Sequence, residues 1–411
     1  MNPIVYAIPV FLGTVALEAF LARRQGKAVY DIPDMVTSLS AGTVSQVMGL
    51  FYKLLGFAIY IAVFNAFAVF HWPTDNLWLW ALALLLYDFL YYWAHRMGHE
   101  VAVMWASHIV HHSSEYYNLS TALRQTATGG LLGWMFYLPL AVLGVPPLML
   151  AVVGLIDLLY QYWVHTQLVG RIGWLEKILV SPSNHRVHHG QNDYCIDVNY
   201  GGILIIWDRL FSTFADERDD EPVVYGVRSA LASYNPLWAN FHYYAWLAQE
   251  TRRTPGWRAK VNVWLGPPGG WPEGPLPSFD ATEFQRFGKP TTAALRWYVA
   301  AQYGGMVALL LHLLLRADAL SIGQQIGYAA VIIGVATVIG ALLEQRPWAR
   351  VAEYARLALF AGAALLPNWF GDAAPLWARA LVVVLAAGSA LWLWRATAPA
   401  AAPSMGPAPA E

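Results

Sequence analysis

Runs of roughly 20 mostly apolar residues recur along the chain, at 4–22, 54–72, 76–95, 129–145, 147–166, 293–315, 321–343, 351–368 and 375–394. A helix of that length crosses the hydrocarbon core of a bilayer. A backbone surrounded by lipid finds no water, so each N–H and C=O must be satisfied within its own segment, and that leaves the α-helix. The expected fold is all-α: a polytopic integral membrane protein with about nine transmembrane helices. Composition agrees, with 57% hydrophobic and 12% charged residues, 20 Trp and 22 Tyr. A net charge of −1 provides no basic field for nucleic acid, and no nucleic-acid module is found. A single cysteine, Cys195, excludes an internal disulfide and a CxxC metal site.

Charge orients the spans. Arg23, Arg24 and Lys27 follow the first run, which places its C-terminal end in the cytoplasm by the positive-inside rule. The second crossing then exits, the loop from His71 to Asn76 faces outward, and the third returns with His95 at its cytoplasmic end. Val145, Pro146 and Pro147 break the next run into a hairpin that brings His165 back to the same face. Residues 1–290 read as a catalytic membrane domain whose part 167–290 is a cytoplasmic cap, with a solvated acidic run at 216–221 and a rigid loop from Gly266 to Pro277. Residues 291–397 read as C-terminal transmembrane helices with few polar side chains, a scaffold or lipid tunnel. Residues 398–411 read as a disordered tail. The membrane is the cell inner membrane for a bacterial source and the endoplasmic reticulum for a eukaryotic one.

Eight of the twelve histidines fall in three groups beside these spans: His95 and His99; His108, His111 and His112; His185, His188 and His189. Spacings of three and four residues bring imidazoles to one helical face, and imidazole is a ligand for iron, zinc and copper. Left without metal, eight imidazoles at one membrane edge would be polar groups short of partners, each costing about 1 to 3 kcal/mol. His165, alone at a helix end, is a ninth candidate ligand, whereas His71, His242 and His312 read as hydrogen-bonded core or interface residues. Eight or nine ligands divide into two centres with exchangeable positions, which suits oxygen activation by two irons better than closed four-ligand zinc sites. Asp88, seven residues before His95, either orients a ligand imidazole or accepts a bond from a neighbouring helix. No nucleotide-binding glycine motif occurs, so electrons come from another molecule.

The order HxxxH, HxxHH, HxxHH resembles the fatty acid hydroxylase/sterol desaturase superfamily of membrane di-iron enzymes. The flanks Tyr91–Glu100, Met104–Glu115, Tyr117–Gln125, Ser183–Gly190, Tyr194–Phe211 and Pro222–Gly226 resemble its alkylglycerol monooxygenase branch, over about 80–245. That resemblance implies O₂-dependent hydroxylation of the carbon next to the ether oxygen of a glycerol ether lipid, with a tetrahydropterin or another external electron donor as reductant. It implies iron ligation by His95, His99, His108, His111, His112, His185, His188 and His189, and a required role for Glu100. Glu100 and Asp88 are the candidate catalytic residues; Glu100 shuttles protons, binds a cofactor or forms a surface salt bridge. Asn118, Arg124, Asn192, Asp197, Asn199 and Asp208 are candidates for orienting ligands or headgroups. Two other readings are open: a hydroxylase or desaturase of a sterol, fatty acid, sphingolipid or carotenoid, and a metal transporter. Transport would string ionisable groups through several spans, but here they collect at one edge.

Overall fold

The computed structural model describes residues 4–269, 278–366 and 375–397. The expected tail at 398–411 and positions 270–277 of the proline- and glycine-rich loop lie outside the described residues, as does the end of the run 351–368. Every regular element among the described residues is helical, and the only strand-like pairings there are two isolated bridges, Leu179 with Leu204 and Gly190 with Tyr225.

The chain begins with α1 (Ile4–Arg24), followed by α2 (Ile32–Phe67). The run read as starting at residue 54 is the second half of this 36-residue helix, which bends by 44° between Ile32–Tyr52 and Leu55–Phe67. Its first half carries Thr37, Ser38, Ser40, Thr43 and Ser45, which dilute the apolar signal. The helix absorbs hydroxyls by back-bonding: Thr37 donates to Pro33 O at 2.8 Å and Thr43 to Leu39 O at 3.0 Å.

Next come α3 (Leu77–Glu100), α4 (Ala102–His112), α5 (Leu119–Ala122), α6 (Leu138–Val142) and α7 (Pro147–Trp163). The run 129–145 is not one helix. Gly129, Gly130, Gly133 and Pro139 break it into two 3₁₀ turns and the short α6. The α6–α7 turn is stitched to the link between α2 and α3 by Val69 N to Val142 O at 2.8 Å and Trp72 N to Gly144 O at 3.3 Å. Tyr60, Ala83, Leu140, Met149 and Val153 fuse α2, α3, α6 and α7 into one apolar bundle. Gly144 takes φ +86°, and a methyl there would collide with the Phe70 carbonyl. Gly144→Ala is therefore expected to cost about 1 to 3 kcal/mol or more, read as a lower melting temperature in detergent; an unchanged melt would contradict this packing.

The cap follows as α8 (Pro182–His188), α9 (Ile206–Leu210), α10 (Pro236–Arg253) and α11 (Trp257–Leu265). Tyr243, Leu247 and Val263 seat α10 and α11 on Ala102, Ala106 and Ile109 of α4. The chain closes with α12 (Ala293–Arg316), α13 (Ile322–Leu343), α14 (Ala349–Leu365) and α15 (Leu376–Ala396). They pack on the first half of α2 through residues such as Val36, Val44, Tyr298, Leu310, Ile332 and Leu393. These helices are less free of polar groups than expected. Glu353, 1% exposed, accepts from Tyr298 and from Arg356, whose Nη2 also donates to Gln302 Oε1 at 2.6 Å.

Against nine expected crossings, five helices among the described residues (α1, α3, α12, α13 and α15) are long and apolar enough to cross, or six with the bent α2 as one span. At 17 residues each, α7 and α14 are short of the usual spanning length of roughly 20, and α14 also carries Arg350, Glu353 and Arg356.

Candidate metal centre

Four short pieces of backbone carry nine histidines to one place. His95 and His99 lie on the last turns of α3; His108, His111 and His112 on α4; His185 and His188 on α8, with His189 as its C-cap; His165 just past α7. Ser181 and Asn184 form a reciprocal capping box and Pro182 follows the N-cap, so α8 starts where it must despite being only seven residues long.

The rings sort into two groups. His95, His99, His108, His112 and His188 form one, and His111, His165, His185 and His189 the other; within each, one nitrogen per ring lies within 4.8 Å of all the others. Helix geometry explains the division. Residues at i and i+4 are 40° apart around the axis and share a group, whereas i+3 and i+4 differ by 100° and part company. In α4, His108 and His112 serve the first group and His111 the second. The third motif reverses this, with His185 and His189 in the second group and His188 in the first.

Hydrogen bonds fix several ring tautomers. Nδ1 of His95 donates to Tyr200 O at 2.8 Å, His111 to Arg124 O at 3.1 Å, His165 to Gln161 O at 2.7 Å and His188 to Val198 O at 2.9 Å. A carbonyl only accepts, so in each ring the proton is on Nδ1 and Nε2 is a bare lone pair. Nε2 of His111 and Nε2 of His165 nevertheless face each other at 3.2 Å. Nε2 of His99 and of His188 is buried with no partner. Lone pairs converging in a buried space call for a cation. Protons do not supply it near neutrality, because burial pushes His111 down to about 4 and His165 and His188 well below the ordinary imidazole range. The donor set, all neutral imidazole, fits a divalent transition metal in each group.

The fatty acid hydroxylase family profile matches residues 80–213, which span all nine rings. The alkylglycerol monooxygenase of Homo sapiens is 39% identical over 378 residues, covering 90% of this chain and 83% of the human protein. The chain belongs to the alkylglycerol monooxygenase family. The Danio rerio enzyme of that name is 41% identical over 380 residues, with the same coverage of both chains. A more distant relative, the ornithine lipid hydroxylase OlsE of Rhizobium tropici, is 26% identical over 227 residues, half of this chain and 66% of that protein. No solved structure matches. Membership extends well beyond the stretch of about 80–245 that the motifs mark, and it makes the chain an oxygen-dependent lipid monooxygenase of the membrane.

In this member of the alkylglycerol monooxygenase family, the two candidate catalytic carboxylates bond to groups other than the histidines. Asp88 accepts from Ile203 N at 2.7 Å, Leu204 N at 3.2 Å and Trp207 Nε1 at 2.8 Å. It does not orient an imidazole itself; it fastens the loop that does. Glu100 pairs with Arg96 at 2.8 Å, one turn away on α3, and is one-third exposed, the salt-bridge alternative.

Of the other polar candidates, Asp208 and Asn199 hold the same loop, and Arg124, Asn118 and Asn192 hold other segments. Asp208 accepts from Tyr200 N at 2.7 Å, Gly201 N at 2.8 Å and Thr213 Oγ1 at 2.7 Å, and so holds the carbonyl that holds His95. Asn199 accepts from Ala215 N and donates to Asn184 O. Buried Arg124 donates to Val110 O at 2.9 Å and Ser113 Oγ at 3.1 Å, which locks the segment whose carbonyl receives His111. Asn118 caps α5 and donates to Val29 O, and Asn192 donates to Pro222 O. Glu217, expected in a solvated run, turns inward to clasp Arg186 with both oxygens, at 2.7 and 2.6 Å. The carbonyls of Gln161, Val198 and Tyr200 were invisible in the sequence, because every residue has one. His71, His242 and His312 stay outside both groups.

Acid should loosen the metal-free protein. The His111 ring sits at about 4 in the fold against an ordinary 6.5, so the fold favours the neutral form. That contribution is complete above about 6.5 and drains away as pH falls through the folded value near 4. The chelator-stripped protein is expected to melt at lower temperature at pH 5 than at pH 7.5; a melt that rises on acidification would contradict it.

Proposed function

We propose that the nine histidines hold two iron ions, His95, His99, His108, His112 and His188 on one and His111, His165, His185 and His189 on the other, and that the enzyme cleaves the ether bond of 1-O-alkylglycerols. The reading is carried by the sorting of nine rings, eight of them buried and His108 half-buried, into two groups of converging lone pairs, in a chain 39% identical to a protein named for alkylglycerol oxidation.

Bound there, the metals would supply activation of O₂ for insertion into an unactivated C–H bond. One oxygen atom enters the carbon next to the ether oxygen, the other leaves as water, and two electrons come from a tetrahydropterin or another external donor. The resulting hemiacetal collapses to a fatty aldehyde and glycerol as its hydroxyl proton passes to the departing ether oxygen.

The chain's own part is positional and protective. The carbonyls of Tyr200, Val198, Arg124 and Gln161 keep the proton on Nδ1 of four rings and leave Nε2 for the metal. Burial of the rings keeps bulk water from the site. Glu100, through Arg96, steadies the end of α3 where His99 sits. The residues 291–397 serve as scaffold. A cytoplasmic face for the site is supported by Lys27, three residues past the basic end of α1, which donates to Gln167 O two residues after His165.

The test is aerobic turnover of a 1-O-alkylglycerol by the iron-loaded protein in detergent or nanodiscs, with product analysis by mass spectrometry. Fatty aldehyde that requires O₂, iron and the pterin together is expected. Oxidation of a sterol, fatty acid, sphingolipid or carotenoid with the alkylglycerol untouched would replace this reading.

A further inference from the structure

Four consecutive residues, Asp197 to Tyr200, service three of the five rings in the first group. Val198 O receives His188 Nδ1 at 2.9 Å and Tyr200 O receives His95 Nδ1 at 2.8 Å. His99 differs from these, since its Nδ1 faces a carboxylate, Asp197 Oδ1, at 4.0 Å. At that distance a water or a small closing movement completes the link. On the other side of the same ring, Nε2 is buried and without a partner. The ring thus lies between a negative charge at one nitrogen and the convergent lone pairs at the other.

The backbone turns at this point. Asp197 takes φ +56° and Asn199 φ +59°, in the left-handed region that Asp and Asn enter more readily than other side-chain-bearing residues. Asn199 is fixed by bonds to Asn184 and Ala215. Asp197, with a side chain 54% exposed, lies beside the Tyr200 side chain as well as the His99 ring.

We propose that Asp197 is the positioning carboxylate of the first metal group: it accepts a hydrogen bond from Nδ1–H of His99, turns Nε2 toward the metal and raises its basicity. This rests on the metal reading above. Carboxylate–histidine–metal relays of this kind change metal affinity by about 10- to 100-fold when broken. The second group has no such exposed carboxylate on its rings among the described residues; Gln161 O and Arg124 O serve two of its members. Only one of two ions should therefore respond.

The experiment compares wild type with Asp197→Ala, Asp197→Asn and His99→Ala, measuring iron per chain during titration with a competing chelator. Asp197→Ala is expected to release one of two irons at about 10- to 100-fold lower chelator concentration, and the second as in wild type. Asp197→Asn, which keeps an acceptor oxygen and tolerates the left-handed conformation, should fall between the two. Equal melting temperatures of the metal-free forms show that the fold is intact. Chelator curves for Asp197→Ala that overlay wild type, while His99→Ala loses one iron, overturn the proposal and leave the metal reading standing. Failure of wild type itself to hold two irons would instead overturn the metal reading.

Discussion

His111→Ala and His112→Ala, neighbours in sequence, are expected to abolish turnover by emptying different sites. His111 belongs with His165, His185 and His189, and His112 with His95, His99, His108 and His188. Removing a carboxylate or carbonyl behind a ligand commonly costs 10- to 100-fold in affinity or activity, so removing the ligand should cost more, about 100-fold or beyond in turnover for each variant. Each should keep about half of the bound metal, and the spectroscopic signature of the metal that remains should differ between the two. The double variant should hold little of either. Both single variants losing the same ion, or either one retaining full activity, would contradict the two-group arrangement.

Asp88→Ala is expected to be the most damaging change outside the histidines, and for a structural reason. The carboxylate is 1% exposed and takes three N–H donors, from Ile203, Leu204 and Trp207. Replacement by a methyl group strands all three, at about 1 to 3 kcal/mol each if none finds a new partner. A loss of several kcal/mol would release the 198–208 loop and, with it, the Tyr200 and Val198 carbonyls behind His95 and His188. Melting temperature and metal content should therefore fall together. A folded, metal-replete Asp88→Ala protein without turnover would restore Asp88 to a direct catalytic role.

The division between what could and could not be read from the sequence follows physical lines. The clustering of the histidines was legible because a 3.6-residue helix brings residues three and four apart to one side, although only the spacing of four keeps two rings in one group; His165 was legible from its place at the end of the run 147–166 that α7 begins. The first half of α2 was missed because five Ser and Thr residues mask a buried helix, in which the Thr37 and Thr43 hydroxyls bond back to the helix itself. The run 129–145 was overread as a helix because hydropathy ignores what Gly129, Gly130, Gly133 and Pro139 do to backbone geometry. Which ring joins which group depends on the relative rotation of α3, α4 and α8, a tertiary fact. Asp88 was flagged because it shares the face of His95, but its partners, the Ile203 and Leu204 amides and the Trp207 indole, lie 115 and more residues away in the chain.

The most direct test of the central claim is turnover of a 1-O-alkylglycerol under ¹⁸O₂ by the iron-loaded protein with tetrahydropterin, the aldehyde being reduced to the alcohol as it forms to prevent exchange with water. Hydroxylation next to the ether oxygen predicts one ¹⁸O in the fatty product and none in the glycerol. Unlabelled fatty product, or label in the glycerol, would contradict it.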